Sequence, residues 1–126
     1  MLRRVAAIAL FACLTMSAAD RVFEMRTYTA LPGRLDALLA RFRNHTTALF
    51  EKHGITNIGY WVPKDKPNTL VYILAHKDAE SAKKSFDAFR ADPAWVKART
   101  ESEASGKIVE KVESVFMDPT DFSKLK

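Results

Sequence analysis

The spacing of apolar and polar residues beyond position 20 predicts strands and helices in alternation. Residues 22–29 alternate between apolar and polar side chains, which is typical of a strand with two different faces. From Leu35 the apolar positions recur at helical spacing, and Gly54 is a natural place for that helix to end. Residues 55–62 and 69–76 are rich in β-branched and aromatic side chains, which predicts a second and a third strand.

The second half of the chain predicts two further helices and a last strand. Asp78 can cap a helix that reaches about Arg90, and Asp92-Pro93 is typical of the start of a short helix. Residues 107–117 predict the fourth strand. The order βαββαβ indicates an α+β fold of the ferredoxin-like type, a four-stranded antiparallel sheet with helices on one face. We expect a second copy of the chain to cover the bare face, so that a homodimer forms a dimeric α/β-barrel.

The first 19 residues follow another pattern. A basic start at residues 1–4 precedes about a dozen apolar residues, and the small residues 17–19 follow them. Because a membrane-spanning helix needs roughly 20 apolar residues, this run is too short to span a bilayer. We therefore expect a signal peptide cleaved after Ala19, an exported domain of residues 20–126, and no membrane span after cleavage. A retained anchor or a buried first helix is the alternative.

Composition narrows the classes of function. Removal of the signal takes away Arg3, Arg4 and the one cysteine, Cys13, so the net charge falls from +5 to +3. A domain without cysteine has neither disulfides nor thiolate chemistry. The basic residues are interspersed with acidic ones and form no nucleic-acid-binding motif, so we expect no nucleic acid partner. The sequence also lacks a P-loop, a GxSxG elbow and a dinucleotide fingerprint, and we predict no cofactor.

Five segments span nearly all of the predicted domain: FEMRTYTALPG at 23–33, GYW at 59–61, NTLVYILAH at 68–76, FRADPAW at 89–95 and MDPTDFS at 117–123. In this order they resemble the NIPSNAP family. The resemblance implies a dimeric α+β barrel and brings no settled catalytic mechanism. Larger eukaryotic relatives are mitochondrial, whereas this chain has a secretory-type signal and one domain. That departure suggests a bacterial envelope, periplasmic or secreted protein.

The first strand carries the main candidates for chemistry. Successive side chains of a strand point to opposite faces of the sheet. One face of this strand therefore carries Phe23, Met25 and Thr27, and the other carries Glu24, Arg26 and Tyr28. We expect the first set under the helices and the second set in the space between two sheets. Because an unpaired charge there is costly, Arg26 would hold an anion or a carbonyl, and Tyr28 or Glu24 would relay a proton. The alternatives are a structural Glu–Arg pair that fixes the dimer and a partly solvated edge.

Three more residues complete the candidate pocket. His76 shares a strand face with Tyr72, and at the mouth of a cavity it would suit acid–base work or ligand binding. Trp61 could stack on a flat ligand, although a large aromatic residue in a small domain is often core or interface. His45 and His53 are about 12 Å apart along a helix, and we expect no metal site.

Two functional hypotheses follow from these observations. The first is a NIPSNAP-like dimer that binds a small hydrophobic or aromatic molecule, or acts as an interaction module without catalysis. The alternative is a cofactor-independent monooxygenase or isomerase, by analogy with other dimeric α+β barrels. Whether Arg26, Tyr28, Trp61 and His76 converge on one cavity distinguishes the two hypotheses.

Overall fold

Strand β1 (Val22–Ala30) lies inside a four-stranded sheet in the computed structural model, which describes residues 20–126. The other strands are β2 (Thr56–Trp61), β3 (Thr69–His76) and β4 (Val109–Met117), in the order β2-β3-β1-β4. All neighbouring strands are antiparallel. The predicted α+β fold with an antiparallel sheet is confirmed. The predicted signal peptide lies outside the described residues.

The first helical segment is interrupted where a continuous helix was predicted. Helix α1 (Leu35–Arg41) runs into a π-helical turn (Phe42–Thr46) and then into helix α2 (Thr47–Lys52). The hydroxyls of Thr46 and Thr47 donate to the carbonyl oxygens five residues earlier, at 3.3 and 3.1 Å. A π-turn adds one residue to the helical turn, and such turns are frequent at functional sites.

Helix α3 (Ala79–Ala91) and helix α4 (Pro93–Ser102) begin where their caps were predicted. The Asp78 carboxylate accepts a hydrogen bond from the Ser81 N–H at 2.7 Å. The Asp92 carboxylate accepts one from the Ala94 N–H at 2.9 Å. Each cap pairs a backbone donor that the first helical turn leaves unsatisfied. No helix within residues 20–126 is long and apolar enough to cross a membrane.

The helices cover the sheet face that carries the polar set of β1, which is opposite to the prediction. On β3, Leu70 and Tyr72 belong to the hydrophobic core together with aromatic side chains of the helices. The strand register pairs Tyr28 with Leu70 and Arg26 with Tyr72, and residues directly opposite one another share a face. The polar side chains are tolerated there because, as described below, they bond to one another.

The other face of the sheet carries the apolar set and is not covered by a helix. Met25 and Thr27 lie there, opposite Ile73 and Val71 of β3, so their predicted position under the helices is wrong. Val115 of β4 pairs with Met25 on the same face. We call this surface the outer face of the sheet; the half-buried and exposed side chains that form it are Met25, Thr27, Trp61, Val71, Ile73 and Val115.

Candidate functional site

Arg26 is the centre of a hydrogen-bonded network beneath the helices. Its Nε donates to the Tyr72 hydroxyl oxygen at 2.8 Å, and its Nη2 donates to the Tyr28 hydroxyl oxygen at 3.1 Å. Its Nη1 forms a 2.8 Å ion pair with Glu24 Oε2. Burial alone would lower the pKa of Arg26, but the two tyrosines and Glu24 raise it above its ordinary value. The guanidinium is therefore charged and held on three sides.

Glu24 links Arg26 to two further strands. Its carboxylate accepts from the Ser114 hydroxyl of β4 at 2.6 Å and contacts His76 Nε2 of β3 at 2.9 Å. Burial raises the pKa of Glu24, but the hydrogen bonds from His76, Ser114 and Arg26 outweigh burial and lower it to about 2. Glu24 is therefore a carboxylate over the physiological range, with both oxygens occupied by donors.

His76 lies inside the fold and not at a cavity mouth, where it was expected. Its residue is 2% exposed, and its ring lies 5.8 Å from the Phe86 ring and 6.1 Å from the Phe116 ring. Its Nδ1 is buried without a hydrogen-bond partner. His76 therefore packs as part of the network on Glu24. It lines neither the cavity described below nor the surface depression that Glu24 and Ser114 line.

Trp61 is separated from the other five predicted site residues by the sheet itself. It pairs with Val71 on the outer face and is 53% exposed. The Trp61 ring lies so close above Gly59 that a Cβ at this glycine would collide with it. A register shift between Asn57 and Gly59 accompanies this arrangement, and such a bulge re-aims the following side chains. Trp61 therefore belongs to a surface and not to the candidate pocket.

A cavity open to solvent on one side lies between the sheet and the helices and has a volume of about 350 Å3. Arg26 and Tyr28 from the predicted site line one side of it, whereas Glu24, Tyr72 and His76 lie behind them. Aromatic rings make up much of its wall, and six cationic residues surround it. The aromatic residues are Tyr28, Phe42, Phe50, Phe86, Phe89 and Trp95; the cationic ones are Arg26, Arg41, Arg90, Arg99, Lys107 and Lys111.

The aromatic wall is a connected set of rings. Phe89 lies between Phe50 and Trp95, with ring centroids 4.8 and 4.7 Å away. Phe42 stands edge-on to Tyr28 at 5.7 Å, on the side of the sheet. Aromatic faces and edges of this kind favour a flat apolar ligand. Trp95 anchors α4 to this wall through its contact with Phe89.

Arg41 is a cavity residue that the sequence did not indicate. Its residue is 6% exposed, and its guanidinium lies 5.3 Å from the centroid of the Trp95 ring. Burial lowers the pKa of Arg41, which nearby Glu103 only partly offsets. The available signal was its place next to Phe42, at the edge of the apolar stripe of the first helix.

His53, at the end of the first helical segment, has a structural role. His53 Nε2 lies 2.7 Å from Asp92 Oδ2, and Lys52 Nζ lies 2.7 Å from the same oxygen. These contacts connect the end of α2 to the start of α4. Within residues 20–126, no group of three or more histidine, cysteine or acidic residues is placed to hold a metal ion.

Comparisons with solved structures support the fold. A NIPSNAP family protein with unknown function from Agrobacterium tumefaciens is 24% identical, with a TM-score of 0.73; the match covers 85% of this chain and 95% of that one. A second NIPSNAP family protein from the same organism is 20% identical, with a TM-score of 0.74, and covers 85% and 100% of the two chains. SnoaB, a cofactor-independent oxygenase from Streptomyces nogalater, is 20% identical, with a TM-score of 0.60 and coverages of 84% and 99%. At these identities the likeness concerns the fold alone.

The family comparison extends over nearly the whole described domain. The NIPSNAP family model matches residues 23–124. The search of curated proteins finds no match. The matched range includes all four strands and all the helices described above, together with most of the C-terminal tail. The chain therefore belongs to the NIPSNAP family.

Proposed function

We propose that this protein is a binding module for a small aromatic molecule, which it holds in the cavity between the sheet and the helices. The single observation that carries the proposal is the aromatic wall around a cavity of about 350 Å3. Ligand sites are typically concave, largely apolar and between about 300 and 1,000 Å3 in volume. The cavity is open to solvent on one side, so a ligand can enter it without a rearrangement of the fold.

Direct measurement of ligand binding tests this proposal. Ligand-observed NMR with a set of two-ring aromatic compounds is expected to identify binders to the wild-type protein. Val112→Trp places an indole at the cavity from an exposed position of β4, and we expect it to weaken their binding at least tenfold. Val96→Trp, on an exposed part of α4 outside the cavity, is the matched control. Equal binding by the wild type and Val112→Trp would move the site elsewhere.

We also propose that the outer face of the sheet packs against a second copy of the chain. Its exposed Trp61 and Val115 belong to an apolar surface that a monomer would present to water. Lys111 and Glu113, 3.1 Å apart near the end of β4, place opposite charges side by side. Such a pair is self-complementary under twofold symmetry. Phe122 of the tail is 84% exposed, and a partner subunit would offer an apolar surface for it.

Export is a third part of the proposal. It rests on the basic, apolar and small-residue sequence of positions 1–19, which lie outside the described residues. Expression of the full chain in a Gram-negative host, followed by intact mass measurement of the periplasmic fraction, tests it. A mass corresponding to residues 20–126 supports cleavage and export, whereas full-length protein in the cytoplasm contradicts both.

The geometry does not favour the alternative of a monooxygenase or isomerase. The four side chains that were expected to converge are divided: Arg26 and Tyr28 line the cavity, His76 is buried behind them, and Trp61 lies on the outer face. Both oxygens of Glu24 are already occupied by donors, which leaves the carboxylate poorly placed as a proton relay. The network therefore fits a structural role that holds the cavity wall in place.

A further inference from the structure

Arg41 is a buried cation whose hydrogen-bonding capacity is not used by the described part of the protein. Its Nη1 lies 3.3 Å from Ser102 Oγ and 3.5 Å from Glu103 Oε1. Its Nε is buried without a partner. Charge-assisted hydrogen bonds of this type are normally 2.7–2.9 Å long, so both contacts of Nη1 are weak. A guanidinium has five donors, and a buried donor without an acceptor is costly.

Arg26, in the same cavity, differs from Arg41 in its hydrogen-bond partners. Each of its three nitrogens donates to an oxygen, at 2.8 to 3.1 Å. The two arginines also differ in pKa: that of Arg26 is raised by its partners, whereas burial lowers that of Arg41. Both side chains line the cavity, but of the two only Arg26 has an oxygen partner at each of its three nitrogens. Arg41 is therefore the position at which an additional anion would be most stabilising.

The remaining charges around the cavity strengthen this preference. The cations Arg90, Arg99 and Lys107 accompany Arg26 and Arg41, whereas the acidic lining residues are Glu103 and Glu110. Arg99 Nε lies 3.7 Å from the same Glu103 that approaches Arg41, so one carboxylate serves two guanidinium groups. An excess of one charge in a cleft with low-dielectric walls attracts ligands of the opposite sign.

The position of Arg41 also indicates what the anion is attached to. Its guanidinium lies over Trp95, whose ring packs against Phe89 at an interplanar angle of 32°. The cationic group and the aromatic wall thus meet at one end of the cavity. A carboxylate matches the planar guanidinium fork, because two N–H groups of the fork can bond in parallel to its two oxygens.

We infer that the cavity selects an aromatic carboxylate, with the carboxylate paired to Arg41 and the ring among Phe42, Phe89 and Trp95. The inference rests on the proposed binding function and names the class of ligand. One ligand of this class accounts for three observations: the unpartnered Nε of Arg41, the weak contacts of Arg41 to Ser102 and Glu103, and the cationic residues around the cavity.

Calorimetric titration with a matched pair of ligands tests the inference. 2-Naphthoate and 2-naphthamide share a ring system and differ in charge. We expect wild-type protein to bind the naphthoate at least tenfold more tightly than the amide, since hydrogen bonds to charged groups contribute more than neutral ones. Arg41→Met is expected to weaken naphthoate binding at least fivefold more than amide binding, so that the preference for the naphthoate is lost. Arg43→Met, at an exposed arginine two residues away and outside the cavity lining, is the control and is expected to bind as the wild type does.

A second variant keeps the test decisive if Arg41→Met does not fold. Glu103→Gln removes the carboxylate that competes for Arg41, so naphthoate affinity is expected to rise at least threefold more than amide affinity. Glu101→Gln, at an exposed acidic residue in the last turn of α4, is its control. Equal affinity of the wild type for the two ligands, or no gain in Glu103→Gln, would overturn the inference and leave the binding function standing. Absence of binding by both ligands would overturn both.

Discussion

Arg26 and Tyr72 lie opposite each other on β1 and β3, and the guanidinium Nε donates a 2.8 Å hydrogen bond to the tyrosine hydroxyl oxygen beneath the helices. This cross-strand pair makes the burial of a charged residue acceptable, because the guanidinium exchanges water for oxygen acceptors of fixed geometry. It also positions Arg26 at the cavity wall. The stability of the domain and the shape of its cavity therefore depend on the same contact.

Tyr72→Phe tests this contact directly. Loss of the hydroxyl leaves Arg26 Nε without its acceptor in a buried position, and we expect the free energy of unfolding to fall by about 1–3 kcal/mol in urea denaturation. Tyr60→Phe is the control, because the Tyr60 ring stacks on Tyr72 at 4.9 Å while its hydroxyl bonds only to the neutral Asn57. An equal decrease in the free energy of unfolding in the two variants would show that the bond to Arg26 stabilises the fold no more than the bond to Asn57 does.

The Glu24 carboxylate predicts a particular dependence of stability on pH. Its pKa is lowered from 4.5 to about 2 in the folded protein, so folding favours the charged form. The corresponding stabilisation is fully present above the unfolded pKa and is lost as the pH falls from about 4.5 towards 2. It amounts to at most on the order of 3 kcal/mol, which solvent in the adjoining surface depression reduces.

Urea denaturation of the wild type and Glu24→Gln between pH 7 and pH 3 measures this effect. We expect the difference in unfolding free energy to be constant above about pH 5.5 and to shrink steadily below pH 4.5. Lys107, a cavity residue outside the network, supplies a control variant, Lys107→Gln, whose difference from the wild type is expected to change little over the same range. A wild-type advantage over Glu24→Gln that does not change with pH would contradict this assignment.

Asp92 caps α4 and also connects α4 to the end of α2. It accepts hydrogen bonds from the Ala94 N–H, Lys52 and His53, and the side-chain bonds from Lys52 and His53 hold its pKa well below the ordinary value. Asp92→Ala is therefore expected to lower the thermal midpoint more than Asp78→Ala, which removes the cap of α3 alone. Thermal denaturation followed by circular dichroism compares them. An equal decrease would reduce Asp92 to an ordinary helix cap.

Much of the fold, but not the assignment of sheet faces, could be predicted from the sequence. The strand and helix order and the caps at Asp78 and Asp92 follow from local patterns, which need no knowledge of distant residues. Alternation along β1 correctly separated two sets of side chains, yet it could not decide which set is buried. That choice depends on Tyr72 and Ser114, which lie 46 and 88 residues beyond Arg26 in the chain and supply partners for the network.

The candidate site could likewise be predicted only as far as local patterns reach. Five of its six residues, all except Trp61, lie on the helix-covered face, and Arg26 connects four of them directly or through Glu24. A register shift in β2 separated Trp61 from them. Arg41 was missed because its environment arises only when α4 brings Trp95 and Glu103 against the first helix. Local sequence carries no record of such tertiary contacts.

The outer face of the sheet predicts a dimer that one charge can disrupt. Sedimentation velocity is expected to show a dimer for the wild type and mainly monomer for Val115→Lys, because a lysine would be desolvated in the apolar interface. Val96→Lys is a matched control, since both valines are 51% exposed and Val96 lies on α4. A monomeric wild type, or equal association of the two variants, would contradict the proposed interface.

The position of a bound ligand is the most direct test of the cavity as the functional site. Crystals of the protein soaked with 6-bromo-2-naphthoate would locate the ligand through the anomalous signal of bromine. We predict a peak inside the cavity, with the naphthalene ring next to Phe89 and Trp95 and the carboxylate within hydrogen-bonding distance of Arg41. A bromine peak on the outer face of the sheet, or a cavity that stays empty at saturating ligand, would contradict the account.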